Sequence, residues 1–476
     1  MKLTSTLNEI NTLLSETTAD FQKDLNINTL CKQLRDGILA HMEEHLSSVI
    51  ENILCDPELL PKLKVGAGRM GLRFNGYRPT SIRLLTGKPI KIQSPYFAKT
   101  KSKRRPGPKS KKRKSGTGQH FGLDYLGFIS RCSTLLMSSV AQATLLCPSF
   151  DVAQKMLKFH AINLNVKTIH SITMNLAKGT MPMRGWVSIS DTDCIDGKTV
   201  MVCIDGGRLR ERRTKRGRLR ERRTKRGRRL DHLKRQGYHT EWKESIQIVI
   251  QTVNPDGTIA KECLPFYDAT LEGVDAAFEL LEIYLRELNI SKADRVVFCC
   301  DGARSYWKRT GPLAKKLGIS IHHEIIDYTH AKQNLNKIID KLPKKISAKA
   351  KLRITALWKN LLWEGNLKEL KKDIGKYISY PKNRKEALKK FNNYFVKNSS
   401  RMQYANFNRL KLPTGSGCVE SAIRRVINLR LKSPGSFWKV ENAESKLFLR
   451  SQFLSGRWNI MIKNIFKNIR TLCLCN

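Results

Sequence analysis

Twice in this chain a short apolar run ends on Asp–Gly, at Cys203-Ile204-Asp205-Gly206 and at Cys299-Cys300-Asp301-Gly302. Each run, TVMVCI from Thr199 and RVVFCC from Arg295, has the length and residue types of a buried strand. A carboxylate at the end of such a strand is held by a rigid sheet and points into the cleft beyond it. The glycine beside it lets a backbone or ligand come close. Asp–Gly after a strand is also ordinary turn chemistry, so either motif alone is weak. Two of them constrain the chain to a sheet carrying acids at its strand ends.

The neighbouring segments fit such a sheet. From about residue 187 strands and helices alternate. Ser245–Val253 alternates as a strand, and Asn254-Pro-Asp-Gly257 reads as a turn into another strand through Leu264. Leu271–Leu288 is an amphipathic helix and Ile319–Ile326 a further strand. Residues 331–410 are Lys-rich and helical, and Gly415–Leu431 begins a last core helix. Trp242 and Trp307 read as core residues.

Charge narrows the choice of partner. The 476 residues carry 88 Lys+Arg against 41 Asp+Glu, a formal net charge of +47. Such a surface attracts polyanions and repels itself without one. Nucleic acid is therefore expected ahead of a ribosome-associated or membrane-surface role. One basic run, KTKSKRRPGPKSKKRKSG, holds ten basic residues between Lys99 and Lys114 and has almost nothing to bury. It reads as a flexible arm, with Lys103, Arg104, Arg105, Lys111, Lys112, Arg113 and Lys114 as expected DNA contacts. A second run follows Asp205. GRLRERRTKR at 207–216 recurs identically at 217–226, giving fourteen basic residues and two acids from Arg208 to Arg229. A ten-residue copy reads as a recent tandem duplication in the loop after the first acid, since structural repeat units are longer and more numerous. Arg208, Arg210, Arg212 and Arg213 are candidate DNA contacts there.

Residues 1 to about 60 show helical periodicity (Leu7, Ile10, Leu13, Leu14, then Leu30, Leu34, Ile38, Leu39), and residues 66–97 turn extended. Within the helical stretch 121–180, Ser149 or Asp151 can cap one helix and Thr168 opens a second, with a break at Ala161–Asn165. A DNA-reading helix-turn-helix and a plain helical hairpin both fit that layout. The opening residues lack a basic end followed by an apolar run, and the apolar stretch near Thr134–Cys147 is too short to span a bilayer. Twelve scattered cysteines include no CxxC doublet with partner ligands, so neither a zinc site nor a disulfide framework is expected. The expectation is a cytoplasmic protein with reduced thiols and no membrane partner.

Magnesium takes hard oxygen ligands, usually one or two protein carboxylates with substrate phosphates, and two such ions serve phosphoryl transfer. A third acid would come from another element. Gly415-Ser416-Gly417-Cys418-Val419-Glu420 supplies it, with Thr414 or Ser416 as the cap and Glu420 in the first turns of a helix. Strand-Asp, strand-Asp, helix-Glu is the order found in ribonuclease-H-like enzymes.

These residues carry a resemblance. IDGGRLRERRTKRG, FCCDGARSYW, IIDYTHAKQNL and GSGCVESAIRRVINLRLKSPGSFW resemble the DDE transposases of bacterial insertion sequences, nearest the ISKra and ISLre-like groups, over roughly residues 185–460. The resemblance implies a ribonuclease-H-like catalytic core interrupted by a helical insertion. It implies cleavage of double-stranded DNA at element ends, joining of the 3′-hydroxyl to target DNA, and two Mg²⁺ or Mn²⁺ ions. A homo-oligomer on paired ends is implied as well, in a nucleoid-associated bacterial protein. Carried over motif by motif, Asp205, Asp301 and Glu420 match the catalytic, metal-binding acids. Asp327 and His330 match a family motif and would orient ligands or water, or else form a structural hydrogen-bonded pair. Arg424 and Arg425 are candidate phosphate contacts. Trp438 with Arg430 and Lys432 would clamp DNA, or Trp438 would pack the last helix.

The expected fold class is therefore α+β: a ribonuclease-H-like α/β core with a mixed sheet, a helical insertion and a helical N-terminal DNA-binding region. The expected segments are a helical and extended region at 1–98, a basic linker at 99–120 and a helical domain at 121–184. The core would begin at 185–330, be interrupted by the insertion at 331–412, and resume in C-terminal helices and tail at 413–476. Two other functions stay open: a DNA-binding protein whose chemistry is dead, and a ribonuclease-H-like structure-specific nuclease.

Overall fold

A computed structural model describes residues 26–99, 118–214, 238–433 and 435–474, with part of the stretch before residue 20. It forms two compact units, residues 1–182 with 462–476 and residues 183–461. None of the described helices is long and apolar enough to cross a membrane.

In the first unit, helices α1 (Ile27–Leu54) and α2 (Leu59–Arg69) lead into an antiparallel pair, β1 (Leu72–Arg83) and β2 (Pro89–Lys99). Asn26 opens α1, its side chain accepting from the Asn28 and Thr29 amides. The buried Glu43 carboxylate accepts from the amide and hydroxyl of Thr86, both at 2.6 Å, and so ties α1 to the hairpin turn. A short helix α3 (Phe121–Tyr125) precedes α4 (Thr134–Leu146), α5 (Phe150–Phe159) and α6 (Val166–Thr180). Ser149 caps α5 through the Val152 amide, and Asn165 caps α6 through the Thr168 amide. Ala161, at φ 59°, makes the turn between them. The basic arm at Lys103–Lys114 lies outside the described residues.

The second unit is built on a mixed sheet of β3 (Thr199–Thr214), β4 (Tyr238–Val253), β5 (Phe266–Thr270), β6 (Arg295–Cys300) and β7 (His322–Ile326). Their order is β5-β4-β3-β6-β7, with the first three antiparallel and β6 and β7 parallel to β3. That is the ribonuclease-H-like order, in an α+β protein as expected. Period-2 alternation divides β3 between two cores. Val200, Val202 and Ile204 join the helices α7 (Val274–Glu287), α8 (Arg304–Lys316) and α9 (Tyr328–Ile339). Residues of the insertion belong to the same core, among them Trp358 from α10 (Ala348–Trp363), Leu370 from α11 (Leu367–Tyr377) and Phe391 from α12 (Pro381–Tyr394). Met201, Cys203 and Leu209 face the opposite core with α13 (Gly417–Ile423), the π-helical turn Arg424–Asn428 and α14 (Val440–Leu454).

Two buried cations brace that second core. Arg184 reaches Asp268 on β5 at 2.7 Å and Glu444 on α14 at 2.6 Å. Burial alone would lower its pKa, but the two carboxylates together raise it. Arg450 donates to the carbonyls of Val426 and Arg425, two acceptors in the π turn.

The strands differ from expectation in three places. β3 runs ten residues past Ile204 to Thr214 instead of ending at Asp205, because residues 207–214 of the first copy of the repeat pair residue by residue with Tyr238–Ser245. Its arginines hid the alternation, which buries Leu209 and Glu211 while Arg208 and Arg212 are exposed. The second copy lies outside the described residues. No strand follows the Asn254–Gly257 turn through Leu264; β5 begins only at Phe266. Finally, Trp242 is not core but 57% exposed, whereas Trp307 is buried.

Candidate active site

The parallel ladder between β3 and β6 pairs Cys203 with Cys299 and Ile204 with Cys300. The next residue on each side is Asp205 and Asp301, so the two acids lie side by side where the β3–β6 ladder stops, about 4.8 Å apart at the backbone. β7 continues the row. Cys300 pairs with Ile326, and the residue after Ile326 is Asp327. Three aspartates therefore stand in line: Asp301 and Asp327 just past the carboxyl ends of β6 and β7, and Asp205 on β3 where its pairing with β6 stops and the strand runs on beside β4.

Alternation aims the first two at the face that carries Glu420. Cys203 and Cys299 belong to the core shared with α13, and Asp205 and Asp301 follow each of them by two residues. On α13, Cys418 touches Cys203 at 3.4 Å between sulfur atoms, which seats the helix over β3. Glu420 lies two residues further along this helix, exposed, its amide donating to the Ser416 carbonyl at 3.2 Å.

Electrostatics brings the acids together. Burial raises the Asp205 carboxyl above the ordinary aspartate range, and its bond from the Gly206 amide and the nearby His330 pull it back down. Asp301 and Glu420 push it up again, so both stand close enough to act on it. Each aspartate presently accepts from a nearby backbone amide: Asp205 from Gly206 at 2.7 Å and Asp301 from Ala303 at 2.8 Å. In these rotamers, no three His, Cys, Asp or Glu side chains among the described residues close around a point that could hold a metal ion. The donors are nonetheless hard oxygens at a half-buried point of concentrated negative charge, which suits Mg²⁺ or Mn²⁺.

Asp327 does something different. It is fully buried, caps α9 through the Thr329 amide at 2.6 Å, and accepts from the Ser416 hydroxyl. Next to it the Tyr328 amide donates to the Thr414 carbonyl at 2.9 Å. The loop that launches the Glu420 helix is thus tied to the end of β7. His330 places Nδ1 3.5 Å from the Asp327 carboxylate.

The glycines beside the acids make room for protein. A Cβ on Gly206 would meet the Glu244 carboxylate at 2.7 Å, and one on Gly302 would meet the Tyr394 ring at 2.3 Å. Sequence reading missed both neighbours. It also missed Tyr306, whose hydroxyl is raised by burial and then by Asp301, Cys300, Asp205 and Glu244, which places Glu244 among the acids. Its presence on β4 gave no local motif to find.

The expected DNA contacts scatter. Arg208 and Arg212 are exposed on β3, and the side chain of Arg213 is outside the described residues. Arg424 and Lys432 are exposed, while Arg425 is half-buried and donates to the Tyr267 hydroxyl at 2.7 Å. Trp438 and Arg430 do not offer a clamp. Trp438 is 9% exposed, with its indole N–H on the Leu431 carbonyl, and Arg430 is 4% exposed over its ring. Apolar packing of the last helix outweighs stacking on a ligand there.

No protein-family model matches the chain, and no curated protein sequence matches it. Among solved structures it is similar to the Drosophila P element transposase strand transfer complex, at 11% identity and a TM-score of 0.26, over 69% of this chain and 80% of that one. An overlap that loose does not bear on the chemistry of this chain.

Proposed function

We propose that the chain is a DDE transposase that cuts DNA at the ends of an insertion sequence and joins the freed 3′-hydroxyl to target DNA. One observation carries the reading: Asp205 and Asp301 each follow the last pair of the parallel β3–β6 ladder, with Glu420 on the helix packed over the same face. These three acids would hold two Mg²⁺ or Mn²⁺ ions, which when bound stabilise the attacking and leaving oxygens of phosphoryl transfer. Asp327 and Ser416 hold Glu420 in place from behind. The bond from Gly206 and the neighbouring His330 offset part of the upward push on Asp205 beside two like charges.

Binding is assigned to other parts of the chain. The net charge of +47 favours double-stranded DNA. In the first unit the α5–α6 pair, with Lys167, Ser171 and Lys178 exposed on its second helix, is assigned the role of a DNA-reading helix-turn-helix. Assembly as a homo-oligomer on paired DNA ends belongs to the same proposal.

The test is a Mg²⁺-dependent cleavage and strand-transfer assay on DNA bearing the flanking ends of its own gene. Nicked ends and joined products are expected from wild type and from a variant lacking one GRLRERRTKR copy. Cleavage without joining would leave a nuclease, and silence with DNA binding intact would leave a binding protein.

A further inference from the structure

Beyond the acids, β3 and β4 continue as a ribbon, and Trp242 stands on it opposite Arg210. The indole is 57% exposed, leaving much of a broad aromatic surface open to solvent. It is also positioned with care. The Arg210 guanidinium lies 5.6 Å from the Trp242 ring and 5.1 Å from that of Phe437, and the Lys432 ammonium lies 5.7 Å from Trp242. Arg210 is pinned on both sides. Its backbone pairs with Trp242 on β4, while on the other side its carbonyl accepts from the Trp438 amide at 3.1 Å and the Arg212 amide donates to Trp438 at 2.7 Å. Its Nη2 reaches the Ser433 carbonyl at 3.4 Å, and its Nε is buried without a hydrogen-bond partner among the described residues.

An exposed indole on a rigid ribbon, with one cation fixed beside it and another within reach, has the chemistry of a nucleobase platform. The π-face of a base stacks on the ring and the flanking phosphates meet the cations. A base within a duplex is already stacked on its neighbours, so only an unpaired one can use the ring. Five ladder positions separate Arg210 from Asp205, on the order of 17 Å along the strand, and the odd count puts the two side chains on opposite faces of the ribbon.

We propose that Trp242, flanked by Arg210, which also lies over Phe437, is a docking site for an unpaired nucleobase near the DNA end engaged by the acids. The inference rests on the chain binding DNA and is independent of catalysis. It is tested in EDTA, where no cleavage occurs, with two labelled probes: a blunt duplex and the same duplex ending in a run of unpaired thymidines. Wild type should bind the tailed probe more tightly and show quenched tryptophan fluorescence on doing so. Trp242→Ala should lose about tenfold on the tailed probe and stay within about twofold of wild type on the blunt one. Trp242→Phe should retain most of the affinity without the quench. Equal losses on both probes, or none on either, would overturn the platform. If neither probe binds wild type, the DNA reading falls and the platform with it.

Discussion

The sulfur atoms of Cys203 and Cys418 lie 3.4 Å apart, two residues short of Asp205 on one chain segment and two short of Glu420 on the other. The contact sets the distance between sheet and helix at the point where the acids emerge. The hydrogen bond with Cys203 lowers the pKa of the Cys418 thiol, while bonds with Cys299 and Cys418 together with burial raise that of Cys203. Both side chains belong to the packing between β3 and α13.

Asp301→Ala is expected to abolish cleavage, by about a thousandfold or more, because it removes charge that acts only at the reacting phosphate. DNA affinity should barely change, since most phosphate contacts come from basic residues elsewhere. A filter-binding titration beside the cleavage assay separates the two. A large loss of binding would mean that Asp301 shapes the DNA site itself.

Ser416→Ala takes the donor from the buried Asp327 carboxylate. The loss should cost about 1–3 kcal/mol of stability. Cleavage should fall further than stability alone explains, because the same hydroxyl fixes the start of the Glu420 helix. Thermal melts and cleavage rates below the transition check both parts; an unchanged rate would detach Asp327 from the site.

Arg184→Met leaves Asp268 and Glu444 buried without their common partner. Destabilisation on the order of 3–5 kcal/mol is expected. Replacing all three by apolar residues of similar size should restore much of it, a contrast that denaturant titration would resolve.

Asp124 in the first unit is pushed up to about 6 by burial. Between about pH 4 and 6 the folded state keeps a proton that the unfolded chain has released. Stability therefore falls as pH rises through that window and levels off above it. Asp124→Asn should remove this dependence and stabilise the protein at neutral pH by roughly 2–3 kcal/mol. Melting curves across the window would show a parallel pair of lines if the assignment were wrong.

Much of the core was legible because its chemistry is local. An apolar run followed by Asp–Gly exposes both a strand and its acid, and alternation assigns the face once the strand is known. The ribbon beyond Asp205 was not legible, because arginine at alternate positions reads as a basic loop until a partner strand is seen. The same masking put Trp242 in the core, since an exposed tryptophan has no signature of its own. At Trp438 adjacent cations left a DNA clamp and packing of the last helix both open, and its indole closes a hydrogen bond inside the fold. Asp327 was found by its motif, but its tie to Ser416 spans 89 residues and no spacing rule reaches so far.

The pairing of β3 with β4 has a consequence for the duplicated segment. Residues 207–214, which complete β3, are spelled identically at 217–224. Excising either copy therefore produces the same protein, in which every residue of the ladder from Thr199 to Thr214 keeps its partner. Ten is also an even number, so a copy placed in the other's position presents the same side chains to the same faces. The gene can gain or shed this unit without rewriting the strand that carries its first acid.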